Sequence, residues 1–531
     1  MSLHAIGVAE SLPVELQIAP RGPTRNSIMS QDQMNCSALA VLGSASDVGK
    51  SLIAAGLCRL LTDAGIDTVP FKAQNMANQA GSTADGLEMP RAQILQALAC
   101  RKTARVDMGP VLMKPVSPTG AQIVVLGKAI GQKEARDYFA DTTTLAAIAE
   151  QALDRLRAAH RAVVIEGAGS PVELNLWSRD FVNLRPARHA DAAIVLVVDI
   201  DRGGVFAQAK GTLDLLPRAD RDRVLGIIVN RFRGDMSLFE DGIPILEQIC
   251  GVPVLAVVPY FDHGLDEEDS PIRIPINAAP QPDKLHIGAI LYPRVANTED
   301  LAPLLSEPDV QLTWITDTGL IGSQDLLVLP GSKATIADLT HITATGLVDA
   351  VRRAYATGAW VLGLCGGYQM LGAQLTDNAG TEAGPAQWVG LECMPLRTTF
   401  GLDKIVRQCA LQSAWPTDGI PLQGYEIHHG QTELCAIEGE PLIRDFGADL
   451  GWRCNRAVGA YVHGLLASDQ WRCSFLNEVR RSRNLPECPP QVAAALEFRI
   501  SRWASHLKSH LREGAFARIL DAILGSHEAS S

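Results

Sequence analysis

Gly43-Ser44-Ala45-Ser46-Asp47-Val48-Gly49-Lys50-Ser51 lies between an apolar run at residues 38–43 and a stretch in which Ile53, Leu57, Leu60 and Leu61 fall on one helical stripe. A buried strand, a glycine-bearing turn and a helix N-terminus in that order make a phosphate cradle. Glycines let the backbone N–H groups turn toward anionic oxygens, and the helix adds its positive end. Lys50 is placed to reach the outer phosphates, and the Ser51 hydroxyl to bind Mg²⁺. The strict pattern asks for Gly or Ala at 44, where this chain has Ser. Gly43, Ser44, Asp47, Gly49, Lys50 and Ser51 are the candidate ATP-binding residues of the turn.

Working outward, apolar β-branched runs recur at 68–71, 162–165, 193–200, 225–230 and 254–259, separated by amphipathic stretches. Runs apolar on both faces predict strands of a buried parallel sheet, hence an α/β layer fold. Residues 262–284 are acidic and then Pro-rich, as an inter-domain linker is. A second series begins at 285, with strands expected at 287–292, 310–315, 326–329 and 360–364, further β-like stretches to about 465, and a helical tail over 490–524. The domains expected are a disordered extension at 1–35, a nucleotide domain at 36–262, a linker at 263–284 and a second domain at 285–531.

A chain of 531 residues is too long for one ordinary core. The net charge of −12 argues against nucleic-acid binding, which needs a positive footprint. Eleven cysteines, an odd number without a C-x-x-C pair, read as reduced thiols of a cytoplasmic protein. No run is long and apolar enough to span a membrane, and residues 1–33 have no secretory h-region. The partner expected is a small molecule, and a homo-oligomer is compatible with the sequence.

Ala162-Val163-Val164-Ile165-Glu166-Gly167-Ala168-Gly169 is an apolar run ending in a carboxylate, as a metal-ligand strand does. Glu173 either returns to the same edge as a second ligand or lies in a solvated loop. Asp85 and Glu88, after the second strand, admit both readings equally. Farther on, Trp360-Val361-Leu362-Gly363-Leu364-Cys365-Gly366-Gly367-Tyr368-Gln369 sets a cysteine at a strand–helix junction. There a thiol is exposed on a sharp turn and feels the helix dipole, which favours thiolate. The Gly366 N–H suits an oxyanion hole. His463, ending another apolar run, is the expected base. His428 and His429 lack any companion metal-ligand spacing and suggest a structural or substrate-lining loop.

A phosphate turn and a nucleophilic thiol in one chain imply coupled chemistry. A carboxylate resists attack until ATP converts it to an acyl phosphate, and a thiol can release ammonia from glutamine on site. The chain resembles the cobyric acid synthase family. The marks are Phe71-Lys72-Ala73-Gln74-Asn75-Met76, residues 107–122, residues 166–175, Asp199-Ile200-Asp201-Arg202-Gly203-Gly204, Asn230-Arg231-Phe232-Arg233-Gly234-Asp235, Pro330-Gly331-Ser332-Lys333, and the clusters beginning at Cys365, Gly424 and Tyr461. The resemblance implies a dethiobiotin-synthetase-like P-loop domain followed by a class I glutamine amidotransferase domain. It further implies ATP, Mg²⁺ and glutamine as reactants and a corrinoid substrate, adenosylcobyrinic acid a,c-diamide, amidated at its b, d, e and g carboxylates. By the same resemblance Cys365 is the nucleophile, His463 its base, Gly331 and Gly366 the oxyanion donors, Glu166 a metal ligand and Asn230 an adenine contact. The family's phosphate loop usually opens Gly-Thr-Thr where this chain has Gly43-Ser44-Ala45. Leu465 stands where typical class I amidotransferases complete a triad with Glu, as is usual in the cobyric acid group, and leaves the orienter of His463 unidentified. Ala73-Gln74-Asn75-Met76 differs from the Gly-Pro-Asp-Tyr-Ile-Asp-like stretch of the related a,c-diamide synthases. The absence of a lysine early in the phosphate loop separates the chain from partition-type ATPases.

Overall fold

The computed structural model describes residues 36–115, 120–134, 138, 142–265, 274–276, 281–435, 440–441, 443–444, 450–489 and 496–525. The expected 1–35 extension and much of the 263–284 segment lie outside these residues.

All six N-terminal apolar runs pair side by side, in parallel, in the order Val254–Pro259, Val224–Phe232, Ala193–Asp199, Ser37–Gly43, Ala162–Glu166, Thr68–Phe71. Helices cover both faces, so side chains on both sides of each strand are buried, and alternation disappears from the sequence. The strand order reverses direction at Ser37–Gly43, and the crevice beyond strand C-termini at such a point is where α/β sheets bind ligands. The register sets Val41 opposite Glu166, so the phosphate turn and the Glu166 carboxylate leave the sheet together.

A seven-stranded sheet forms the second half: Val310–Ile315, Leu285–Ile290, Leu326–Leu329, Trp360–Leu364 and Ala457–Ala460 run parallel, then Gly451–Cys454 and Glu440–Pro441 antiparallel. The strand expected at 287–292 begins two residues earlier, at Leu285. Leu364 pairs with Ala460, which brings the chain leaving toward Cys365 beside the chain leaving toward His463. Two further sheets connect the halves. One is a four-stranded sheet in the order Gln74–Met76, Val111–Pro115, Gly120–Val125, Lys128–Glu134; the other contains the long hairpin Leu396–Ser413 with Pro421–Leu434. All described residues belong to one compact unit. No described helix is long and apolar enough to cross a membrane.

The tail helices return to the first sheet: Leu496–Ser509 packs on the phosphate-turn helix, Lys50–Asp63, and Ala515–Leu524 on the strands Ser37–Gly43 and Val254–Pro259. Trp503 Nε1 donates to Leu52 O at 2.6 Å, and a Cβ at Gly56 would sit 2.6 Å from Leu507 Cδ2. Arg59, fully buried on that helix, makes a two-pronged contact with Glu497 at 2.7 Å. Removing one partner of such a pair strands the other's charge. Glu497→Ala should therefore lower unfolding free energy by about 2–3 kcal/mol, less than a fully buried pair because Glu497 is half exposed. Urea denaturation checks this; an unchanged midpoint would show that the tail is not held by this pair.

Candidate functional site

The phosphate turn begins as the strand Ser37–Gly43 ends and closes at Gly49, whose φ of 93° is left-handed and favours glycine. A side chain at 49 would also run into the Asn230 carboxamide. Asn230 donates from Nδ2 to Val48 O at 3.0 Å, so its buried amide braces the turn from beneath. It is not among the residues lining the cavity above, where an adenine contact was expected. Lys50 Nζ curls back over the turn to Ala45 O (2.8 Å) and Gly169 O (3.0 Å). Ser44 Oγ donates to Gln208 Oε1 at 3.2 Å. Asp47 pairs with Arg231 at 3.0 Å and with Arg202, a cationic edge to the turn.

Glu166 is the hub of this site. Its Oε1 accepts from Ser51 Oγ at 2.7 Å and from Lys72 Nζ at 2.9 Å; its Oε2 accepts from Gln96 Nε2 at 2.6 Å. Lys72, from the family-like stretch after the second strand, was not singled out from the sequence as a site residue. A cavity of about 780 Å³ opens over the group, lined by Lys50, Ser51, Lys72, Glu166 and, at its exposed rim, Glu173. Hard oxygen donors from a hydroxyl and a carboxylate, side by side at a phosphate turn, fit Mg²⁺.

The structure corrects the expectation for Glu88. It is 1% exposed and pairs with Lys114 at 2.9 Å and with Lys404, a residue of the second half. Burial alone would raise its pKa, but the two ammonium groups outweigh that and hold it well below the usual carboxylate range. Both oxygens are engaged, so Glu88 bolts the halves together rather than serving metal at the turn. Asp85 accepts from Thr83 Oγ1 at 2.6 Å in a local turn.

Cys365 has φ 49° and ψ −107°, strained for a residue with a side chain, and opens the short helix Gly366–Met370. The glycines around it are forced: a Cβ at 366 would lie 2.8 Å from Ser332 N, and one at 367 would collide with Leu329 O. Cys365, His463 and Gly331 line one small cavity. Gly366 follows Cys365 directly in the chain. The missing orienter is Asp300: its Oδ2 meets His463 Nδ1 at 2.7 Å, and its Oδ1 accepts from Gly464 N at 2.8 Å. Burial would lower the His463 pKa, but Asp300, and after it the Cys365 side chain, outweigh it and raise it to about 10. At neutral pH the imidazole is therefore protonated beside the sulfur.

His428 and His429 sit on the strand Pro421–Leu434, not on a loop. His428 is buried, stacked 3.6 Å from the Tyr461 ring centroid, with Nε2 3.2 Å from Glu426; burial pushes its pKa down to about 4. His429 lines the Cys365 cavity. No cluster of three or more metal-ligating side chains occurs among the described residues. All eleven cysteines are described, and none is in a disulfide.

Residues 39–271 match the CobQ/CobB/MinD/ParA nucleotide binding domain, and residues 286–471 the CobB/CobQ-like glutamine amidotransferase domain. A cobyric acid synthase of Chlorobium phaeobacteroides is 42% identical over 503 residues, spanning 91% of this chain and 99% of that protein. One from Chlorobaculum tepidum is 47% identical over 458 residues, 82% of this chain and 90% of that protein. One from a Nostoc species is 38% identical, over 90% of this chain and 99% of its own length. With its two halves matched in order and its length spanned by these relatives, the chain belongs to the cobyric acid synthase family of glutamine-dependent amidotransferases.

Proposed function

We propose that the chain converts adenosylcobyrinic acid a,c-diamide to adenosylcobyric acid in the cytoplasm, amidating its b, d, e and g carboxylates with ATP and glutamine. The observation that carries this reading is the pair of constellations in one compact unit: Lys50, Ser51, Lys72 and Glu166 under one cavity, and Cys365, His463 and Asp300 at another. Eleven cysteines outside any disulfide agree with a reducing compartment.

In the small cavity the Cys365 thiolate attacks the carboxamide carbon of glutamine. His463, held protonated by Asp300, gives its proton to the departing nitrogen, and ammonia leaves behind a γ-glutamyl thioester. N–H groups at Gly331 and Gly366 receive the oxyanion. Neutral His463 then takes a proton from water, which hydrolyses the thioester to glutamate and restores the thiolate. In the large cavity a substrate carboxylate attacks the γ-phosphorus of ATP, releasing ADP and forming an acyl phosphate. Lys50 and Lys72 carry positive charge to the transferring group. Mg²⁺, held by Ser51 and Glu166 with Glu173 at the rim, would neutralise phosphate oxygens there. Ammonia attacks the acyl carbon, phosphate leaves, and a proton passes to solvent.

The two chemistries separate by mutation. Cys365→Ala should abolish glutamine use yet keep amidation driven by ammonium at alkaline pH; parallel loss of both would refute two separable sites. Lys50→Ala should remove amidation from either nitrogen source, and survival of the ammonium-driven reaction would refute the phosphate-site assignment. Asp300→Asn should lower glutaminase turnover by about 10²–10⁴-fold through the wrong tautomer, with ammonium-driven amidation within about twofold of wild type.

A pH dependence follows from the same pair. Because Asp300, together with Cys365, raises the His463 pKa from 6.5 to about 10, the stabilisation is fully present below 6.5 and lost as pH rises through 10. The urea-midpoint difference between wild type and Asp300→Asn should shrink between about pH 6 and about pH 10. A difference that grows with pH would show that Asp300 does not hold the imidazolium.

A further inference from the structure

Among the described residues, four cationic side chains line the large cavity: Lys50, Lys72, Arg179 and Arg231. Three of them are committed to the phosphate turn and its neighbours. Lys50 Nζ bonds to Ala45 O and Gly169 O, Lys72 Nζ meets Glu166 at 2.9 Å, and Arg231 is held by Asp47 at 3.0 Å and Asp199 at 3.3 Å. Arg179 differs. It is exposed, and its side chain makes no ion pair or hydrogen bond among the described residues. Neither phosphoryl transfer nor the release of ammonia uses it.

The backbone nonetheless holds Arg179 in place. Its carbonyl accepts from Thr142 Oγ1 at 3.1 Å, and its N–H donates to Leu176 O at 2.8 Å. The next residue, Asp180, accepts from Val182 N at 2.8 Å and from Asn183 Nδ2 at 3.1 Å. Asn183 in turn accepts from Ala168 N at 3.0 Å and donates to Ala168 O at 2.8 Å, two residues past Glu166. A side chain at Gly167 would collide with that carboxamide, so the close approach requires glycine there. The loop is therefore hung from the strand that carries Glu166, and the fold sets where Arg179 stands relative to the reacting end of the cavity. The same loop leaves Leu174 and Trp177 52% and 36% exposed, and Met76 in the cavity lining is 50% exposed.

Apolar surface together with an uncommitted guanidinium suits a large apolar body that carries anionic arms. The acceptor of the amidation reading has its b, d, e and g carboxylates around one ring, and only one at a time can lie at the γ-phosphate beside Lys50 and Lys72. The others are carried away from that point and remain anionic. A guanidinium meets a carboxylate through two parallel N–H···O bonds, a geometry and charge that few other side chains supply. We propose that Arg179 anchors the acceptor through a carboxylate other than the one being activated. The inference rests on the amidation reading above and adds to it a residue that selects polyanionic acceptors.

The test uses the full-length protein with the a,c-diamide, ATP and Mg²⁺, and with ammonium as nitrogen source so that glutamine hydrolysis does not enter the measurement. In Arg179→Gln the initial-rate KM for the a,c-diamide should rise about fivefold or more, well beyond any change in kcat or in the KM for ATP. Arg179→Lys keeps the charge and loses the fork, and its acceptor KM should fall between those of Arg179→Gln and wild type. Added salt should raise the acceptor KM of wild type more steeply than that of Arg179→Gln, because screening acts on a pair that the variant lacks. Should the glutamine variant not fold, the smaller rise in Arg179→Lys and the salt dependence of wild type carry the test. An acceptor KM that does not move in a folded variant overturns the anchor. A loss that falls on kcat or on the KM for ATP also overturns it, since the guanidinium would then serve the phosphates. Wild type that forms no amide at all would instead overturn the amidation reading and the anchor with it, a result distinguishable from both.

Discussion

A buried ion pair between Asp300 and His463 is the contact on which the rest of the arrangement depends. Both side chains are almost wholly withdrawn from solvent, and an imidazolium there is tolerable only with a carboxylate against it. That requirement fixes the chain from Val295 to Asp300. Fixing it in turn sets the strand pairing with Gly331, the stacking of Tyr425 on the imidazole at 5.1 Å, and the distance between the two cavities. A hydrogen bond from Gly464 N to the second Asp300 oxygen closes the group from the histidine side.

The halves are joined by charges as well as by packing. Glu88 between Lys114 and Lys404, and Lys333 donating to Gln122 Oε1 at 2.6 Å, place N-terminal groups against the wall of the thiol cavity. The four-stranded sheet carrying Lys114 and Gln122 also contains Gln74–Met76, whose residues line the nucleotide cavity. Burial and the neighbouring lysines push the Lys333 pKa down to about 7, and burial pushes that of Glu382 up to about 7. Charge at this junction is therefore expensive to isolate, which favours a single fixed docking of the halves.

The parallel strands were legible because burial on both faces leaves near-continuous β-branched runs in the sequence. The phosphate turn and Cys365 were legible because each needs local glycines for a local reason, a left-handed φ at 49 and contact with neighbouring backbone at 366 and 367. Asp300 was not: it meets His463 across 163 positions, and no spacing rule links a residue of the short helical turn Thr298–Leu301 to one just past a distant strand. Glu88 misled for the same reason, since its partners are one strand of its own half and one of the other. The long hairpin was only partly visible, because its half-exposed strands mix charged and apolar residues, and His428 and His429 were consequently given to a loop. Leu465, which left the triad incomplete on paper, is buried in a short turn after His463; the carboxylate comes from elsewhere in the fold.

The central claim is that nitrogen freed at one sheet edge is captured by a carboxyl group charged at the other. The most direct measurement follows product mass when the a,c-diamide, ATP, Mg²⁺ and amide-labelled glutamine are given to the purified protein with no added ammonium. The account predicts four successive labelled amides, each accompanied by one ADP and one glutamate. Steady release of ADP and glutamate with an acceptor of unchanged mass would contradict it.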